Sequence, residues 1–114
     1  MGNVKDGTNR PGSLALRSER NDDEQVIALA GELDLDGAQR VSQELQRAAA
    51  ADVRRIVLDL SNLKFIDSSG VRLIVEADAR SETEGAKLAL IRGPQPVHRV
   101  FELTVVAERL TFAG

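Results

Sequence analysis

The 114-residue sequence contains no cysteine, tyrosine or tryptophan, only one histidine and only three phenylalanines. Without cysteine, the chain cannot form a disulfide, a thiolate nucleophile or a zinc–sulfur centre. A single histidine also excludes a histidine-rich metal site. Few aromatic side chains are available for stacking on bases, and a net charge of −3 gives no basic face for nucleic acid. We therefore expect an aliphatic core, no metal or cofactor, and no nucleic-acid partner.

Long apolar runs are also missing from the chain. No segment approaches the length of a membrane span, and the N-terminus lacks the apolar core of a signal peptide. We therefore expect a cytoplasmic protein with no membrane partner. The length suits a single domain. Residues 1–12 are rich in glycine, asparagine and charge, which predicts a flexible arm, and residues 13–114 then form the domain.

The order of apolar patterns predicts an α/β fold. Alternating or continuous apolar residues indicate strands at 13–19, 25–31, 55–60, 87–91 and 109–112. Between them, apolar residues at helical spacing predict three helices, the first entered through a capping box formed by Asp36 and Gln39 and the second stopped by Gly85. The first two strands are predicted to form a hairpin, and the alternation that follows favours parallel strands. The expected architecture is a mixed central sheet covered by helices.

One stretch, Asp67-Ser68-Ser69-Gly70, lies where a buried strand passes into a helix. In a parallel sheet such a corner lies at the carboxyl end of the strand, where ligands bind. Three interpretations are open at this point. A serine or aspartate there caps the helix, a serine is a nucleophile if a base activates it, or a kinase modifies a serine and switches a binding surface.

Catalysis by the chain itself has little support. The corner does not match the Gly-x-Ser-x-Gly sequence of a hydrolase nucleophile elbow. The one possible base, His98, is expected to be a surface or rim residue of the last helix. No glycine-rich loop with a lysine is present to hold a nucleotide phosphate. We therefore expect a binding protein and not an enzyme.

Four segments of the chain carry a family resemblance. They are Gly31-Glu32-Leu33-Asp34, Ile56-Val57-Leu58-Asp59-Leu60-Ser61, Phe65-Ile66-Asp67-Ser68-Ser69-Gly70 and Val97-His98-Arg99-Val100-Phe101-Glu102-Leu103. In order and spacing they resemble the STAS domain, and most closely the bacterial anti-sigma factor antagonists of sporulation and stress responses. The resemblance extends from about Ser13 to Phe112.

The resemblance implies a partner switch. In the family, the serine after the aspartate is phosphorylated by an anti-sigma factor that is also a serine kinase using ATP and magnesium; that serine is Ser68 here. The unphosphorylated antagonist captures the anti-sigma factor and frees the sigma factor, and a PP2C-type phosphatase resets the phosphorylated form. Partner-contact positions implied on this surface are Asp34, Asp67, Ser69, Gly70 and Arg72. The free chain is expected to be a monomer.

The chain departs from the family pattern at two places. Val71-Arg72 replaces a usual Leu-Gly pair, which adds a positive side chain beside the docking surface. Thr104-Val105 replaces a Ser-Gly pair after the last helix. A constitutive STAS interaction module, in a stress-sensing assembly or as a lipid-transport subunit, remains the alternative function. In that case Ser68 would be no more than a helix cap.

Overall fold

The structure is a computed structural model that describes residues 13–104 and 110–112. The predicted arm at 1–12 and the beginning of the last predicted strand, at Arg109, lie outside the described residues. The elements are β1 (Leu14–Asn21), β2 (Glu24–Leu33), α1 (Leu35–Ala49), β3 (Arg55–Ile66), α2 (Ser68–Glu84), β4 (Lys87–Ile91) and α3 (Gln95–Leu103).

The four strands form one mixed sheet in the order β1-β2-β3-β4. β1 pairs antiparallel with β2, whereas β2–β3 and β3–β4 are parallel. Residues 110–112 run beside β4, where Phe112 makes a parallel bridge to Leu90 and the Leu90 N–H donates to the Thr111 carbonyl at 2.8 Å. The mixed sheet with an N-terminal hairpin, predicted from the sequence, is therefore confirmed.

Strand β3 is the central strand and is longer than the sequence pattern predicted. The register of its pairing with β2 shifts twice. Ala28 pairs with Asp59 but Ala30 pairs with Asn62. Gly31 pairs with Leu63 but Glu32 pairs with Phe65. Each shift places one extra residue in β3, as in a β-bulge. The extra residues explain why Leu60, Leu63 and Ile66 are all buried at a spacing of three. A strict period of two could not have predicted this.

The core is mainly aliphatic, as the composition predicted, although the ring of Phe101 is also fully buried in it. α1 buries the predicted stripe of Ala38, Val41, Leu45 and Ala48, and α2 buries Gly70, Leu73, Ile74 and Ala77. The two helices pack against each other, and α1 also contacts β2 while α2 contacts β4. α2 ends at Gly85, whose φ of +93° is the left-handed conformation that glycine adopts without strain. The predicted stop at Gly85 is confirmed.

The prediction that His98 lies at the surface or rim is wrong. Its side chain in α3 is only 4% exposed. The imidazole ring lies edge-on to Phe112, with ring centroids 4.9 Å apart, and 6.3 Å from Phe101. Its Nε2 atom is 3.9 Å from Glu102, and its Nδ1 atom has no hydrogen-bond partner among the described residues. Charged neighbours in sequence suggested exposure, but Phe112, which is distant in sequence, covers the ring.

Candidate functional site

Two helices begin side by side at one edge of the sheet. The last residues of β2 and β3, Leu33 and Ile66, are register partners, and an aspartate follows each of them. Asp34 precedes α1 and Asp67 precedes α2. The Asp67 N–H donates to the Leu33 carbonyl at 3.2 Å, so the two strand ends are joined at the corner. This is the carboxyl edge of the parallel strands, where the sequence predicted the functional site.

Both aspartates cap their helices. Asp67 Oδ1 accepts from the Ser69 N–H at 2.9 Å and from the Gly70 N–H at 3.2 Å. Asp34 Oδ1 accepts from the Gly37 N–H at 3.0 Å. The prediction that Asp36 caps α1 is therefore wrong, because β2 ends at Leu33 and the helix begins directly after Asp34. Asp36 lies in the first turn of α1, where a negative charge still interacts favourably with the helix dipole.

Ser68 is the first residue of α2, and its side chain is exposed. Within the described part of the chain its hydroxyl makes no hydrogen bond. The interpretation of Ser68 as the helix cap is therefore not supported, since the Asp67 carboxylate performs that function. Ser69, the next residue, is partly buried. Of the two hydroxyls, that of Ser68 is the more accessible to another protein.

Gly70 lets α2 begin close to the sheet. A β-carbon built at this position would lie 2.7 Å from Ile66 Cγ1 and 2.9 Å from Leu33 Cγ. Both distances are shorter than carbon atoms tolerate, and both neighbours are in the core. The glycine therefore fixes the distance between the helix start and the ends of β2 and β3. Through that packing it also positions Ser68, two residues earlier in the same helix start.

Ser68 lies on the wall of a groove between α1 and α2, which we call the α1–α2 groove. Its volume is about 390 Å³, and it is lined by Leu35, Ala38, Gln39, Ser42, Ser68, Ser69, Arg72, Leu73 and Glu76. Arg72 is the one positively charged residue in this lining. Its side chain is exposed and makes no ion pair or hydrogen bond in the described part of the chain. Glu76, one turn further along α2, also lines the groove.

Two large apolar side chains near the corner remain exposed. Leu35, directly after the Asp34 cap, is 59% exposed, and Phe65, near the end of β3, is 48% exposed. Neither residue was predicted from the sequence to be functional. For Phe65, the alternation of side chains along a strand was a usable signal. Because Ile66 is buried, its neighbour Phe65 is directed to the opposite face of the strand. Exposed apolar residues beside a polar corner are typical of a protein-docking surface.

His98, the one candidate base in the sequence, lies away from this site. His98 lies between aromatic rings and is absent from the lining of the α1–α2 groove. No group of three or more metal-ligating side chains occurs in residues 13–104 and 110–112. In the same residues, no helix is long and apolar enough to cross a membrane. The arrangement presents an exposed hydroxyl, capped helix starts and apolar side chains, which suits recognition by another protein.

Comparison with known proteins identifies the family. The family model described as "Mlab, STAS domain" matches residues 16–111, which is most of the chain. The chain therefore belongs to the STAS domain family, and the resemblance seen in the sequence is confirmed.

Several relatives are anti-sigma factor antagonists by name. An anti-sigma F factor antagonist of Paenibacillus polymyxa is 29% identical over 93 residues, which cover 81% of this chain and 80% of the relative. The structure of the anti-sigma factor antagonist SpoIIAA in its unphosphorylated form is similar with a TM-score of 0.74 and 25% identity, covering 88% of this chain and 89% of that one. An anti-sigma factor antagonist from Mycobacterium paratuberculosis has the same fold, with a TM-score of 0.80 at 22% identity over 90% of this chain and 87% of that one.

Proposed function

We propose that this chain is an anti-sigma factor antagonist and that phosphorylation of Ser68 switches off its binding to an anti-sigma factor. The observation that carries the proposal is the Ser68 hydroxyl, which is exposed and makes no hydrogen bond to any described residue, at a helix start whose cap is supplied by Asp67. The named relatives include anti-sigma factor antagonists, and one of them is known in a form specified as unphosphorylated. Such a role places the chain in the cytoplasm.

The partner would catalyse the phosphorylation of Ser68. The anti-sigma factor, acting as a serine kinase, would hold ATP and magnesium. The Ser68 Oγ atom attacks the γ-phosphorus of ATP, a new O–P bond forms, and the bond to the leaving ADP breaks. The hydroxyl proton passes to a base of the kinase. This chain contributes the acceptor and its position, and is therefore a substrate and binding module and not an enzyme.

A phosphate at Ser68 would oppose partner binding through charge and bulk. Phosphorylation adds roughly −1.5 to −2 charges at neutral pH. The carboxylates of Asp34 and Asp67 already lie at the two neighbouring helix starts. The exposed Leu35 and Phe65 flank the same corner and offer apolar contact area to the partner in the unphosphorylated state. If the partner covers this corner, the phosphate dianion on Ser68 would have to lose its water, and desolvating such a charge is costly.

The remaining site residues have distinct proposed roles. Asp34 and Asp67 would present the edges of their carboxylates to the partner while capping α1 and α2. Ser69 and Gly70 would shape the acceptor corner, the first through its N–H bond to Asp67 and the second through close packing. Arg72 would face the partner from the groove wall. A PP2C-type phosphatase would remove the phosphate, and the free chain would be a monomer.

Phosphosite mapping tests the proposal. The chain and its Ser68→Ala and Ser69→Ala variants are incubated with ATP, Mg²⁺ and candidate anti-sigma kinases from the same organism, and intact masses are measured. We expect one added phosphate in the parent and in Ser69→Ala and none in Ser68→Ala. The neighbouring serine is the matched control, because both variants remove a single hydroxyl from the same corner.

Two other outcomes would contradict the proposal. A phosphate that persists in Ser68→Ala and is lost in Ser69→Ala would overturn the assignment of the acceptor. No phosphate with any candidate kinase would favour the constitutive interaction module, whose partners co-purify with the chain whether residue 68 is serine or alanine.

A further inference from the structure

Arg72 lies one helical turn after Ser68 on α2. Residues four apart on a helix are neighbours, with Cβ atoms about 5–6 Å apart. Both side chains line the α1–α2 groove, so they share one side of the helix. The guanidinium of Arg72 has no ion pair or hydrogen bond in the described part of the chain. It is therefore available to any negative group that is added to Ser68.

The backbone donors at the start of α2 are less available. The N–H groups of Ser69 and Gly70 both donate to Asp67 Oδ1. A phosphate on Ser68 could bind these donors only by displacing the carboxylate of Asp67. The backbone of Asp67 is in turn held by its hydrogen bond to the Leu33 carbonyl. The helix dipole still favours a phosphate at this position, but the two N–H donors already bond to Asp67.

Glu76 competes with a phosphate on Ser68 for the guanidinium of Arg72. Glu76 lies one helical turn after Arg72 and lines the same groove. No ion pair joins the two side chains. In helices, an acid four residues before a base forms the better pair, and the reverse order is weaker. Phosphoserine at 68 has the favourable order with Arg72, whereas Glu76 has the unfavourable one. The phosphate also carries more negative charge than a carboxylate, so Arg72 would pair with the phosphate in preference to Glu76.

We propose that phosphorylation of Ser68 creates an ion pair within the chain, between the phosphate and the Arg72 guanidinium. The geometry of the guanidinium allows two parallel N–H groups to donate to two phosphate oxygens. The biological role of this pair rests on the proposed phosphorylation of Ser68. One modification would then add negative charge to the docking surface and also withdraw from the partner the one positive side chain in the groove lining.

Phosphorus NMR tests the pairing without any kinase. Phosphoserine is incorporated at position 68 during translation in the parent sequence and in the Arg72→Gln, Arg72→Lys and Arg47→Gln variants. The ³¹P shift is then followed against pH. A nearby positive charge favours the dianion, so the phosphate of the parent should lose its second proton at lower pH than that of Arg72→Gln. We expect an acid dissociation constant about twofold larger in the parent, as for a helical pair of this spacing.

The control variants separate charge from other effects. Arg47→Gln removes an exposed arginine near the far end of α1 and should titrate like the parent. Arg72→Lys keeps the charge and should stay closer to the parent than to Arg72→Gln. The carboxylates of Asp34, Asp36, Asp67 and Glu76 are present in every sample, so the difference isolates residue 72. In the parent, the Arg72 Nε–Hε signal should also move when Ser68 is replaced by phosphoserine.

Equal titration curves for the parent and Arg72→Gln would overturn the ion pair, as would an Arg72 signal that does not respond to the phosphate. Neither result depends on whether a natural kinase recognises Ser68, which the mass measurement decides separately. Failure of the ion pair and failure of the proposed switch are therefore distinguishable.

Discussion

At the scale of single residues, the corner separates two tasks that serine and aspartate could each perform. The Asp67 carboxylate satisfies two free N–H groups of α2 and so stabilises the helix. The hydroxyl of Ser68, one residue later, is exposed and makes no hydrogen bond within residues 13–104 and 110–112. A modification of Ser68 can therefore alter the surface without removing the helix cap.

This division of tasks predicts unequal stability effects. Asp67→Ala should lower the free energy of unfolding by about 0.5–2 kcal/mol, the usual cost of losing a side-chain cap. Ser68→Ala should change it by less than about 0.5 kcal/mol, as for an exposed residue whose side chain bonds to none of the described residues. Urea unfolding followed by circular dichroism measures both. If Ser68→Ala proved as costly as Asp67→Ala, Ser68 would have a structural role that the contacts do not indicate.

The residue that the sequence described least well is His98. Its burial depends on the ring of Phe112, which residues 110–112 bring beside β4. A local pattern contains no information about a contact between segments so far apart in sequence. The choice between Asp34 and Asp36 as the α1 cap failed for a related reason. It depends on where β2 stops, and that is set by pairing with β3.

At the scale of elements, the start of α2 is fixed by the fit of Gly70 against Ile66 and Leu33. The regular parts of the helices and strands followed from the spacing of apolar residues, because one face of each element is buried. The length of β3 did not follow, because its two bulges change the spacing of buried residues partway along the strand. The position of the corner was predicted correctly, since it required only the end of one strand and the start of one helix.

The tight fit of Gly70 leads to a prediction on packing. Gly70→Ala should lower the free energy of unfolding by about 1–3 kcal/mol, because the added methyl group overpacks against the core at the helix start. Glu76→Ala, an exposed change on the same helix, should stay within about 0.5 kcal/mol of the parent. Denaturant unfolding of the two variants provides the comparison. A fully stable Gly70→Ala would show that α2 can move away from β2 and β3 at little cost.

At the scale of the whole molecule, the fold gathers its distinctive surface features at one edge of the sheet. The capped starts of α1 and α2, the groove between them and the exposed Leu35 all lie around Ser68, and the exposed Phe65 precedes Ser68 by three residues. Parallel pairing of β2 and β3 is what brings the two helix starts together. The sequence predicted the strand-to-helix corner at Asp67 and Ser68, and the phospho-acceptor role of Ser68 stays a prediction. It could not identify the groove, which exists only where two helices pack.

We propose that the state of Ser68 decides whether the chain binds an anti-sigma factor. The most direct measurement is calorimetric titration of that factor with the parent, with the chain carrying phosphoserine at 68, and with Ser68→Ala. We predict that the parent and Ser68→Ala bind with similar affinity, because replacing the hydroxyl adds neither charge nor bulk to the surface, and that phosphoserine weakens binding at least about tenfold, or about 1.4 kcal/mol. Equal affinity of the parent and the phosphoserine form would contradict the account.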